Sequence, residues 1–140
     1  MIQTEEKCVM IIDETLPRGL IANTAAILGI TLGKLCPEMV GPDAVDGSGN
    51  AHPGIVTTPV PVLCGTPEEL RSIRQKLCQP AFQDVTAVDF SRLAQGCRTY
   101  GEWIGKITQV PESSLQYLGL ALCGAKKKVN ALTGSIPLLR

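Results

Sequence analysis

The sequence predicts an α/β protein: a three-layer α/β/α sandwich around a mixed sheet of roughly four strands, in one domain. Three observations carry this. Cys8–Ile12 and Leu115–Cys123 are short runs that are apolar on both alternating faces, as strands covered on both sides are. Such runs alternate along the chain with segments of helical spacing. The chain has 140 residues, 44% of them hydrophobic. A domain of that size buries roughly 70% of the surface its unfolded form exposes, so no staple is needed.

Taken in order, Cys8–Ile12 reads as the first strand. Ile21, Ala25, Leu28, Leu32 and Leu35 then recur at spacings of three and four, which predicts a helix over Arg18–Leu35 that Cys36-Pro37 ends. Ala22, Ala26, Gly29 and Gly33 form a second stripe of small residues on this helix. Glycine in a helix interior costs about 1 kcal/mol against alanine, so the stripe asks for close packing on the sheet or contact with a partner helix in a homodimer. Residues 41–54, dense in Gly, Asp, Ser, Asn and Pro, read as a loop. Ile55–Cys64 reads as a strand in which Pro59 and Pro61 remove two ladder donors, so it is either an edge strand or irregular in its early part. Thr66-Pro67-Glu68-Glu69 is a helix-start signature for a helix running to about Cys78. Val85–Phe90 reads as a strand and Arg98–Val110 as a helix with Tyr100, Trp103, Ile104 and Ile107 on one side. Leu115–Cys123 is the last strand, and Lys126–Leu132 a short final helix.

The formal net charge is zero, which offers no global field to nucleic acid or a membrane surface. The opening MIQTEEKC lacks the basic flank and apolar stretch of a secretory leader, and no segment approaches the roughly 18 apolar residues of a membrane span. The six cysteines include no C-x-x-C pair, several sit inside apolar runs as buried thiols do, and no zinc, calcium or phosphate-loop spacing is present. A cytoplasmic protein with reduced thiols, no metal and no cofactor is expected.

The segments "LPRGLIANTAAIL", "VGPDAVDGSGNAHPGI", "TYGEW" and "YLGLALCG" resemble the bacterial family catalogued as "domain of unknown function two thousand". "KCVMIIDETLPRGLIANTAAILG" and "LQYLGLALCGAKKKVNALTGSIPLL" are also similar to the opening and closing segments of type-II peptidyl-tRNA hydrolases, which implies their fold. The resemblance carries the fold further than the activity. Leu20 stands where those hydrolases place a lysine, Asn23 or Thr24 stands near their glutamine, and the first helix has no histidine. Asp89 matches their carboxylate after the third strand, and Ser113 or Ser114 stands nearest their threonine before the last. A carboxylate without its basic partner neither stabilises an oxyanion nor holds tRNA phosphates, which argues against peptidyl-tRNA hydrolysis.

The candidate site residues follow from position. Open α/β sheets bind ligands in the cleft at strand ends, where Asp13 closes the first strand and Arg18 opens the first helix. Thr15, Asp13 and Pro17 equally explain a capped helix start. Asn23 sits in the second turn, where an amide is mildly disfavoured without a partner. His52 is the single histidine and has Asp43 and Asp46 in its loop. Asp89 ends its strand and is either a functional carboxylate or a cap for the turn that follows. Tyr100 and Trp103 suit the core first and ring stacking second. Cys64 and Cys123 suit core packing, and Lys126–Lys128 a solvated face that Arg71 and Arg74 would join only if the fold brings them together.

These residues suggest a domain that binds a small polar or anionic metabolite through Asp13, Arg18, Asn23 and Asp89, with His52 nearby. The alternatives are a hydrolase or transferase with Asp89 as base and His52 assisting, or, by fold analogy alone, an RNA-binding module.

Overall fold

β-branched and sulfur-bearing side chains fill the first strand, β1 (Glu6–Asp13), which the fold covers on both faces. The structure is a computed structural model that describes residues 5–140; Met1–Thr4, part of the opening segment read above, lie outside the described residues. After β1 come α1 (Arg18–Leu35), a small ribbon of β2 (Ala44–Val45) and β3 (Ala51–His52), β4 (Val62–Gly65), α2 (Pro67–Leu77), β5 (Thr86–Ser91), α3 (Arg92–Gly96), α4 (Tyr100–Ile107), β6 (Tyr117–Ala125) and α5 (Lys126–Thr133).

The main sheet has four strands in the order β4-β1-β6-β5, with β1 and β4 parallel and the other pairs antiparallel. It is therefore mixed, as the sequence predicts. Alternation sorts its side chains onto two cores. Val9 and Ile11 join Leu120 and Leu122 under Leu70 and Ile73 of α2 and Val129 and Leu132 of α5. Cys8, Met10 and Ile12 join Ala121 and Phe90 under Leu28 and Leu32 of α1. Helices thus cover both faces.

A β-bulge resets the alternation in β6. Phe90 pairs with Gly119 but the next residue, Ser91, pairs with Tyr117, so Leu118 is the extra residue. Leu118 packs in the α1-side core, and a Cβ at Gly119 would lie 2.8 Å from Thr24 and 3.1 Å from Leu28 of the same helix. Two successive residues thus face α1, and the second has no room for a side chain. The slip also turns Tyr117 to the α2 side.

The Thr66 capping box forms as its sequence signature predicts, with reciprocal bonds of 3.1 and 3.0 Å to Glu69. The strand read over Ile55–Cys64 is Val62–Gly65, an edge strand of the sheet with an irregular approach, as Pro59 and Pro61 imply. Elsewhere the structure corrects the expectation. The helix expected over Arg98–Val110 is Tyr100–Ile107, with a separate five-residue turn of helix, α3, before it. The loop at 41–54 carries the β2–β3 ribbon, turned at Gly49 with φ of 86°.

Cysteine chemistry differs most. The β1–β6 register sets Cys8 directly opposite Cys123, Cα atoms 4.2 Å apart, and their sulfurs are joined as a disulfide. Met39 Sδ lies 3.6 and 3.8 Å from the two sulfurs. Cys36, Cys64, Cys78 and Cys97 are free. The sequence does not announce this pairing, because residues 115 apart in sequence meet only through strand register. Among the described residues no helix is long and apolar enough to cross a membrane.

Candidate functional site

Asp13 sits at the end of β1 with 1% exposure, and its carboxylate serves the turn that follows. Oδ1 accepts from the Thr15 amide at 2.9 Å and the Thr15 hydroxyl at 2.7 Å, an Asx turn that aims the chain into α1. No side chain caps α1 itself; Pro17 occupies its N-cap, so Asp13 and Thr15 organise the approach rather than the helix start. Arg18 and Asn23 lie on the exposed side of α1. Its neighbour Thr24 is the buried polar residue, with Oγ1 unpartnered.

Asp89 points the other way. Val88 and Phe90 face the α1-side core, so the carboxylate between them turns toward α2, where Arg74 Nε lies 3.6 Å from its Oδ2. Packing around the group raises its pKa, and the Arg74 guanidinium only partly offsets this. Nearby, Tyr117 donates its hydroxyl to Glu112 Oε1 at 2.8 Å, and burial followed by that carboxylate pushes the phenol above its usual value. Arg71 stacks over the Tyr117 ring at 5.7 Å and bonds the Leu115 carbonyl. Arg71 and Arg74 are thus committed within this cluster, not to a patch with Lys126–Lys128; Lys128 pairs with Asp84.

The convergence expected of Asn23 and Asp89 is not found, because the sheet lies between α1 and the Asp89 carboxylate. His52 belongs to a third region. Its Nε2 is 2.8 Å from Asp46 Oδ2 within the exposed ribbon. Asp46 also accepts from the Ser48 and Asn50 amides, and these bonds, His52 first, lower its pKa to about 2. Asp43 accepts from the Gly54 amide at 2.9 Å. Both aspartates hold the loop, and no contact joins His52 to Asp89 among the described residues. No group of three or more metal-ligating side chains occurs among the described residues.

Of the small-residue stripe, Gly29 alone faces the sheet, with Met10 Cε 3.4 Å from where its Cβ would be. Ala22 and Ala26 are exposed, and Gly33 has open space.

A concavity lies on the α1 side of β5, a cavity of about 430 Å³. Val88 and Phe90 form its floor, Ile27 and Thr31 of α1 one wall, and Tyr100 and Trp103 of α4 the other. Cys97, Arg98 and Thr99 link α3 to α4 along its rim. Ser91 caps α3 through the Ala94 amide, and Thr99 caps α4 through the Glu102 amide, so two short helices begin at its edge. Asp89 borders this cavity and also a smaller one of about 170 Å³ beside Arg74 and Gln83.

The sequence assigns Tyr100 and Trp103 to the core first and to a ring-stacking surface second. In the structure α4 has no buried residue, Tyr100 is 73% exposed, and the two rings meet edge-on with centroids 5.1 Å apart. The missed signal was glycine. Gly101 and Gly105 weaken a helix that the aromatic spacing alone made look firmly packed.

A protein of unknown function from Agrobacterium tumefaciens has the same fold: its structure matches with a TM-score of 0.87, covering 99% of this chain and 100% of that one at 20% identity. No curated protein matches the chain. A family model described as "Protein of unknown function (DUF2000)" matches residues 6–140, and the chain belongs to that family.

Proposed function

We propose that the protein is a small-molecule-binding domain whose ligand occupies the cavity between α1, β5, α3 and α4. The observation that supports this is the lining: an apolar floor, an aromatic pair on one wall with Tyr100 exposed and Trp103 half-buried, and hydroxyl, thiol and guanidinium groups on the others. Its volume of about 430 Å³ is in the roughly 300–1,000 Å³ range of small-ligand pockets, which combine apolar walls with a few placed polar groups. Asp89 stays in the reading as a border of the cavity. Arg18 and Asn23 do not line it.

Trp103 is the single tryptophan, so its indole N–H gives one resonance that reports on the wall. A soluble-metabolite library screened against the full chain is expected to yield compounds that move this resonance and raise the melting temperature together. Thr31→Phe, at an exposed α1 position on the opposite wall, should abolish both effects without unfolding the protein. Compounds that stabilise equally in the Thr31→Phe variant, or a library in which none moves the resonance, would overturn the proposal.

A further inference from the structure

Arg71 and Arg74 are engaged by carboxylates, a carbonyl and a sulfur. Arg98, on the rim of the larger cavity, differs from both. Only its main-chain amide is bonded, to Glu102 Oε2 at 3.1 Å, and its guanidinium has no partner among the described residues. Glu102 is paired with Lys106 at 2.8 Å, and Asp89, the one carboxylate bordering the cavity, is paired with Arg74 on the far face of the sheet, so neither engages the Arg98 guanidinium. Thr99 satisfies the Glu102 amide with its hydroxyl and the Trp103 amide with its carbonyl. The Tyr100 and Gly101 amides, earlier in the same turn, have no intrahelical acceptor and add to the positive end of α4.

The aromatic wall supplies the second requirement. Tyr100 and Trp103 are inclined at 62° to each other, so they do not stack and a third ring can lie against the pair. Val88 and Phe90 close the space beneath with apolar surface.

Resting on the proposed cavity, we infer that its ligand is an aromatic carboxylate: a planar ring held against Tyr100 and Trp103, with the carboxylate paired to Arg98. A guanidinium offers two parallel N–H donors to a carboxylate, which a neutral amide cannot accept in the same way. The ring chemistry and the charge are therefore separable in an experiment.

The probes are phenylacetate, its neutral analogue phenylacetamide, and cyclohexylacetate, each titrated against the full chain while the Trp103 indole resonance is followed. Phenylacetate is expected to bind at least about tenfold more tightly than either analogue, consistent with one charge-assisted bidentate pair. Arg98→Ala should remove the preference over phenylacetamide, while Arg98→Lys should retain part of it. Equal binding of phenylacetate and phenylacetamide, or a preference that survives Arg98→Ala, overturns the role of the charge. Equal binding of cyclohexylacetate overturns the role of the ring. If no probe moves Trp103 while library compounds do, the inference fails and the cavity reading stands; if nothing moves it, both fail.

Discussion

Replacing Thr24 by valine is expected to stabilise the protein. Thr24 lies in α1 with no exposure, directly above Gly119, and its hydroxyl has no hydrogen-bond partner. Burying a hydroxyl without compensation costs about 1–3 kcal/mol, and valine has the same shape with a methyl in its place. Helix propensity is nearly the same for the two residues, so it does not decide the sign. The gain should be about 1–2 kcal/mol. Urea unfolding followed by far-ultraviolet circular dichroism would show it, since a slope near 2 kcal/mol per molar converts that gain into a midpoint higher by about 0.5–1 M. Thr24→Ala separates the hydroxyl from the packing. It removes the orphan group but opens a void against the sheet, so it should be less stable than the valine variant by about 1 kcal/mol or more. A valine variant no more stable than the parent would refute the reasoning, and would mean that the hydroxyl is satisfied in solution, the Leu20 carbonyl one turn back being the available acceptor.

Asp89 supplies a test in pH. Its folded pKa is raised, so its stability contribution is fully present below the unfolded value near 3.8 and is lost as pH rises through the higher folded value. Asp89→Asn should therefore gain stability relative to the parent between pH 3 and pH 7, measured by urea midpoints; a relative loss over that range would mean the Arg74 pair outweighs desolvation. The cysteines can be counted directly. Alkylation in denaturant before reduction should label the four free cysteines, and after reduction all six; six labelled at the first step would rule out the Cys8–Cys123 bond.

Most of the frame was legible because it depends on local periodicity and local punctuation. The spacing from Ile21 to Leu35 and the Cys36-Pro37 stop delimit α1 as the structure has it, and Thr66 to Glu69 marks the start of α2 through bonds between residues three apart. The family was legible too, from motifs distributed along the chain. Features that depend on register were hidden. Nothing local to Cys8 or Cys123 announces that strand pairing makes them neighbours, and nothing in "YLGLALCG" says that Leu118 and Gly119 turn to the same face.

The site was illegible for a related reason. Asn23 and Asp89 were grouped because the first follows a strand and the second stands near the end of one, but a strand end does not say which face a side chain takes. One residue of alternation sends Val88 and Phe90 toward α1 and Asp89 toward Arg74, and that single step divides the expected cleft in two. Tyr100 and Trp103 show the complementary limit. Helical spacing of apolar residues establishes that a helix has a face requiring cover, but not whether the protein provides the cover. In α1 the sheet provides it, burying Thr24, Leu28 and Leu32. In α4 the face is covered only in part, Trp103 and Ile107 being half-buried and Tyr100 exposed, while Thr99, Glu102 and Lys106 hold the helix in place with local bonds. A helix fixed by its caps and salt bridge, with its rings left beside a cavity, has the construction that the proposed ligand site requires of its wall. A core helix would bury those rings instead.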